Sequence, residues 1–207
     1  MSVASKLLVY LHLAVKQQAL QSALQAALPG VMITAVGRIA DFDRALAEGQ
    51  DAVLSLPLVL SAKHLVPVLR GERQGALDEE YVLVGTEPTL EPARARSVGA
   101  VDILGREGTT SFINTLIGAQ PKLERVTKVE DLLPLLQLQR VDGIVLPARL
   151  VSELARSSRL KLVERPLATR VGLPALAAKG GSEDPLVAVF RRLPRPLCAS
   201  LGVERWR

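Results

Sequence analysis

The densest anion-binding chemistry in this chain lies in seven consecutive residues, GREGTTS, from Gly105 to Ser111. They form a glycine-flanked polar loop that follows the apolar run VDIL and precedes the amphipathic segment FINTLIG. Gly105 and Gly108 permit tight backbone geometry. Thr109, Thr110 and Ser111 can cap a helix and donate hydroxyl hydrogen bonds to an anion held at its N-terminus. Arg106 adds a fork of donors suited to phosphate or carboxylate. A plainer reading fits the same residues, in which Thr109 or Thr110 is only a helix cap and Arg106 a solvated loop charge. The loop is not of the nucleotide-hydrolysing kind, because no lysine follows Gly108.

The rest of the inventory argues against catalysis. His12 and His64 are the only histidines, and no Gly-x-Ser-x-Gly elbow is present. Cys198, the single cysteine, sits among prolines near the end, so neither an intramolecular disulfide nor a cysteine cluster for zinc can form. Neither histidine has a second ligand at helical spacing, and no metal or other cofactor is expected. The paired acids Asp41 and Asp43, Glu79 and Glu80, and Glu183 and Asp184 read more simply as helix caps or solvated loop charges.

An alternation of strand and helix must position the loop. Residues 7–13 predict a buried strand, 16–28 a helix stopped by Pro29 and Gly30, and 31–36 a strand of β-branched residues. A helix over 40–49 and a strand over 51–56 follow, giving β-α-β-α-β, the pattern of a mostly parallel sheet. Residues 57–69 read as a helix bent or ended at Pro67, the stretch RGERQGALDEE as a loop, and 81–85 as a strand. After a connector over 86–97 the pattern restarts, with strands over 98–104, 123–126, 141–146 and 160–164. Helices over 110–117, 129–138 and 148–157 lie between them. The tail adds the apolar GLPALAA and a helix over 185–193, and is expected to return to the first unit.

Composition agrees with a soluble globular chain: 207 residues, 48% hydrophobic and 23% charged, provide core enough for two small lobes. Aromatic residues make up only 3%, so stacking platforms for nucleic acid are scarce and no nucleic-acid partner is expected. A formal charge of +5 favours anionic partners, although no basic run exceeds two residues and simple solubility explains the surplus as well. The apolar run LLVYLHLAV after Lys6 imitates a secretory signal. His12 interrupts it, Lys16 closes it, and the helical spacing that follows favours a strand. The protein is expected to be periplasmic if a signal peptide was removed before this numbering begins, and cytoplasmic otherwise. No stretch approaches the roughly 20 apolar residues of a membrane span.

This order of elements, with the phrases ADFDRALAEGQDAVLSLPLVL, VDILGREGTTSFINTLIG, VDGIVLPARLVSEL and RVGLPALAAKGG, resembles the type II periplasmic-binding-protein fold, and within it the substrate-binding proteins of phosphate- and phosphonate-type ABC transporters. The resemblance implies two α/β lobes joined by two crossing segments, with a small solute clamped in a central cleft. Residues 1–85 and 167–207 would form the first lobe and 86–166 the second. Ligands of such sheets lie beyond the carboxyl ends of the strands. That makes GREGTTS a strand-to-helix turn facing the solute, with His12, Lys16 and Ser55 as donors from the first lobe, while Leu146 and Pro147 shape a wall and Arg149 faces solvent. The implied function is noncatalytic binding of a small anionic or polar solute, in transport with a membrane permease or in a sensory or accessory module. Two alternatives stay open. One is an enzyme of the same fold, similar to the short ATP phosphoribosyltransferases or to menaquinone-pathway enzymes; the other is a degenerate member that binds another protein.

Overall fold

The computed structural model describes residues 5–13 and 16–207. Ala14 and Val15, the end of the signal-like run, lie outside the described residues, as does Met1. The chain divides into two compact units, one running up to Asp78 and resuming over Gly172–Arg207, the other formed by Glu79–Val171.

The first unit is built on β1 (Ser5–Tyr10), α1 (Gln17–Ala27), β2 (Val31–Val36), α2 (Ile39–Ala47), β3 (Ala52–Ser55) and α3 (Pro57–Ala62). β1 lies between β2 and β3 and is parallel to both. Its residues Leu7, Leu8, Val9 and Tyr10 are all buried, as a central parallel strand covered on both faces requires. Leu20 and Leu24, one helical turn apart, seat α1 on the sheet, and Phe42 and Ala45 seat α2.

Residues 57–69 do not make one helix. His64 adopts a left-handed φ of 56° just after α3, Pro67 cannot donate to a continuing helix, and β4 (Leu69–Glu72) forms instead. The tail supplies its partners. β10 (Ala175–Ala178) lies antiparallel between β3 and β4, and β11 (Arg205–Trp206) pairs antiparallel with β4, giving the order β11-β4-β10-β3-β1-β2. The tail helix expected over 185–193 is the shorter α7 (Pro185–Phe190), and a further helix, α8 (Arg195–Ser200), follows it. Asp184 caps α7 by accepting from Leu186 N–H at 2.9 Å. At the other edge of this sheet two glutamines of α1 reach β2: Gln25 Nε2 donates to the Val31 carbonyl at 2.8 Å, and the Ala35 N–H donates to Gln21 Oε1 at 3.3 Å.

The second unit holds β5 (Asp78–Gly85), β6 (Ser97–Val101), α4 (Gly105–Ile117), β7 (Lys122–Val126), α5 (Leu132–Gln137), β8 (Gly143–Pro147), α6 (Val151–Arg156) and β9 (Val163–Gly172). The sheet order is β7-β6-β8-β5-β9, with β6 parallel to β7 and β8 and β5 antiparallel to β8. Residues 79–85, read from sequence as part of the first lobe, belong here because Tyr81 to Gly85 pair along β8 from Pro147 to Gly143. Residues 167–171 likewise stay with this unit as part of β9. Leu132, Leu133, Leu135 and Leu136 of α5 fill its core against Val82, Val84, Ile144 and Leu146.

Candidate functional site

In the first unit the polar side chains gather at the carboxyl ends of β1 and β3. Ser55 is fully buried, and its hydroxyl donates to the Tyr10 carbonyl at 2.7 Å, tying the two strand ends together. The half-buried His12 meets Tyr10 in a T-shaped contact at 4.8 Å between ring centroids, and Tyr10 stacks in turn on Phe42, also at 4.8 Å. Lys16 is exposed and immediately precedes α1, without a side-chain bond to the helix end. Ser55 and His12 therefore meet at Tyr10. Ser55→Ala is expected to lower unfolding stability by about 1 kcal/mol, the net worth of one hydrogen bond. A thermal melt that leaves this variant level with wild type would show that the hydroxyl does not join the strands.

In the second unit the GREGTTS stretch is not a loop. α4 starts at Gly105, so the first turn spans Gly105 to Gly108, and Thr109, Thr110 and Ser111 lie inside the helix rather than capping it. The two glycines do the conformational work expected of them. Gly105 takes φ +76° as the chain turns into the helix, and a Cβ on Gly108 would stand 2.7 Å from the Leu104 Cβ.

Thr109 is fully buried, and its hydroxyl is saturated. It accepts from the N–H groups of Ile103 at 3.1 Å and Leu104 at 2.9 Å, and donates to Asp102 Oδ1 at 2.8 Å. It anchors the start of α4 and has no proton left for a solute. Thr110 Oγ1 donates back to the Arg106 carbonyl at 2.7 Å, and Arg106 and Ser111 are exposed. Arg106, Thr110 and Ser111 line one open depression of about 650 Å³ that continues along α4 past Asn114 to Gln120. Glu107 lines it too, placing an acid in the first turn where an anion was expected.

Two ion pairs at the same end of this sheet are invisible to local sequence reading. Arg125, near the end of β7, bonds Asp102 Oδ2 through Nη1 at 2.5 Å, so Asp102 joins Arg125 to Thr109. Arg149, just past the end of β8, donates from Nε to Glu79 Oε2 at 2.7 Å, with side chains only 14% and 10% exposed. Arg149 thus does not face solvent, nor is Glu79 a solvated loop charge. Their partners are 70 residues apart, and no spacing rule connects them. Tyr81, opposite Pro147 in the strand register, sits beside this pair. Burial first, and then the Glu79 carboxylate, push its phenol well above the ordinary value, with Arg149 opposing, so it is a neutral donor at physiological pH. Phe112 of α4 meets Tyr81 edge to face at 6.2 Å.

Cys198 is buried, its Sγ lies against the Leu193 carbonyl at 3.6 Å, and burial raises its thiol pKa, so it is not a ready nucleophile. Among the described residues no group of three or more histidines, cysteines and acids is placed to hold a metal, and no helix is long and apolar enough to cross a membrane.

No family model matches this chain, and no curated protein matches it either. Solved structures do. PhnD1 from Prochlorococcus marinus in complex with methylphosphonate is 12% identical, with a TM-score of 0.64 over 99% of this chain and 92% of that one. A double mutant of the Bordetella pertussis BvgS VFT2 domain is 16% identical, with a TM-score of 0.62 over 97% and 93%. An arginine-bound mutant of ArgBP from T. maritima is 15% identical, with a TM-score of 0.58 over 96% and 95%. The chain has the α/β fold of the type II periplasmic binding proteins.

Proposed function

We propose that this chain is a noncatalytic solute-binding protein, taking a small polar or anionic solute at the carboxyl ends of its strands and serving an ABC-type permease or a sensory or accessory module outside the cytoplasm. The observation that carries this reading is the placement of the buried and half-buried polar groups. In each unit they collect at the end of the parallel strands where open α/β sheets take their ligands: Ser55 and His12 around Tyr10, and the Asp102–Arg125 and Glu79–Arg149 pairs beside Thr109 and Tyr81. None of these groups forms a nucleophile with an adjacent base, which favours binding over turnover. The similar structures bound to methylphosphonate and to arginine support a solute of that size.

A thermal-shift screen tests the proposal, because a solute that binds only the native state must raise Tm. At about 100 times its Kd the stabilisation is about 2.7 kcal/mol. We expect at least one member of a panel of phosphonates, phosphate, amino acids and small carboxylates to give a saturable rise with the compound recovered unchanged. A panel without any such shift, or recovery of a converted product, would sink the proposal.

A further inference from the structure

The geometry points to Arg149, rather than the exposed Arg106, as the group in the second unit that grips an oxyanion of the solute, a carboxylate or a phosphonate. This inference rests on the solute-binding reading and adds to it a ligand class and a residue.

Three observations carry it. The first is an unspent set of donors. Arg149 uses its Nε–H on Glu79, and among the described residues the two terminal amino groups of the guanidinium have no further protein partner. A guanidinium is a fork of five N–H donors, and neither Nη of Arg149 is a buried atom lacking a partner, so both stay open to an acceptor arriving from solvent. A side chain only 14% exposed that leaves most of that fork unused is placed to receive an acceptor.

Position is the second observation. Arg149 follows the end of β8 by two residues, and Glu79 and Tyr81 lie at the start of the antiparallel neighbour β5, with Tyr81 opposite Pro147. The pair therefore stands at the ligand-binding end of the sheet rather than at its opposite end. The third is the poor return of such a pair as a purely structural device, since burying two charges consumes most of what their attraction returns. Its value lies in orientation. Glu79 fixes the guanidinium through Nε and leaves its terminal amino groups without a further protein partner among the described residues.

Because the pair is neutral overall, it recognises geometry more than net charge. The Nη edge matches two oxygens of one carboxylate or phosphonate group, a match that an ammonium does not reproduce. Tyr81 and Phe112 add an aromatic wall to the same corner, fitting a short apolar substituent on the anion. Arg125 is the weaker candidate, because its Asp102 partner is already engaged in anchoring α4 through Thr109.

The test is calorimetric titration of the whole chain with methylphosphonate, inorganic phosphate and acetate. The variants are Arg149→Lys, the double change Glu79→Gln with Arg149→Gln, and Arg106→Gln, each checked by circular dichroism. We expect wild type to bind at least one probe. Arg149→Lys should weaken it about 10- to 100-fold, as loss of a charged bidentate contact implies. The double variant, which removes the pair without stranding a charge, should bind undetectably, and Arg106→Gln should stay within about twofold of wild type. Stronger binding of methylphosphonate than of acetate would assign a phosphonate or phosphate ligand, and the reverse a carboxylate. Equal binding by Arg149→Lys and wild type overturns the inference, and so does loss of fold in both Arg149 variants, which would make the pair structural. If no probe binds wild type the inference also fails, while the solute-binding reading is judged separately by whether neutral or cationic members of the thermal panel bind.

Discussion

Replacing Phe190 with alanine is expected to lower unfolding stability by about 3–5 kcal/mol, the range for deleting a fully buried aromatic side chain. Phe190 ends α7 with no exposed surface and meets Trp206 edge to face at 5.3 Å. Trp206 is the only tryptophan and lies in β11, the edge strand that holds β4 in the first sheet. The substitution therefore removes the support beneath the last strand as well as the ring's own contacts. A urea titration followed by Trp206 fluorescence should show a lower midpoint and a red-shifted native emission. A loss below about 1 kcal/mol would mean that the core closes around the gap, which a close-packed interior rarely allows.

Thr109→Val is the second large effect, expected at about 3 kcal/mol. The change keeps shape and volume while removing one hydroxyl that serves three partners, the N–H groups of Ile103 and Leu104 and the Asp102 carboxylate. Each buried group left without a partner costs about 1–3 kcal/mol, moderated here by the Arg125 bond that Asp102 keeps. Trp206 lies in the other unit, so the measurements are a thermal melt by circular dichroism and amide exchange. The Ile103 and Leu104 amides should lose protection in Thr109→Val and retain it in Thr109→Ser. Unchanged exchange at both would show that the hydroxyl does not hold the start of α4.

The comparison between sequence and structure turns on how far apart the interacting residues lie. The β1-α1-β2-α2-β3 series is legible because each element carries its own periodicity, and β2 spans Val31–Val36 as its β-branched run predicts. β4 is not legible. LRGE has no alternating pattern and becomes a strand only because β10 and β11, more than a hundred residues later, pair with it. The extent of the second unit fails for the same reason: only the pairing of β5 with β8 assigns residues 79–85 to it. In the candidate site, GREGTTS reads from sequence as a loop, whereas it is the start of α4. Two glycines signal a turn, whereas here one makes the turn and the other lets the helix pass close to Leu104. Arg149 and Glu79 are missed because charges usually signal solvent, and burial of a charge is decided by a partner that proximity in sequence does not reveal.

The glutamines that reach from α1 to β2 bear on self-association. A strand at the margin of a sheet is a template onto which another chain can add. β2 suits that process well, with six residues, VMITAV, that include four β-branched side chains and neither charge nor proline. Gln21 and Gln25 occupy the Ala35 N–H and the Val31 carbonyl, so an incoming strand meets side-chain amides where it needs free backbone. That protection lasts only while α1 is docked through Leu20 and Leu24. Release of α1 would uncover the apolar face and the hydrogen-bonding edge of β2 together, so undocking of one helix, short of global unfolding, is enough to expose a strand onto which another chain can add.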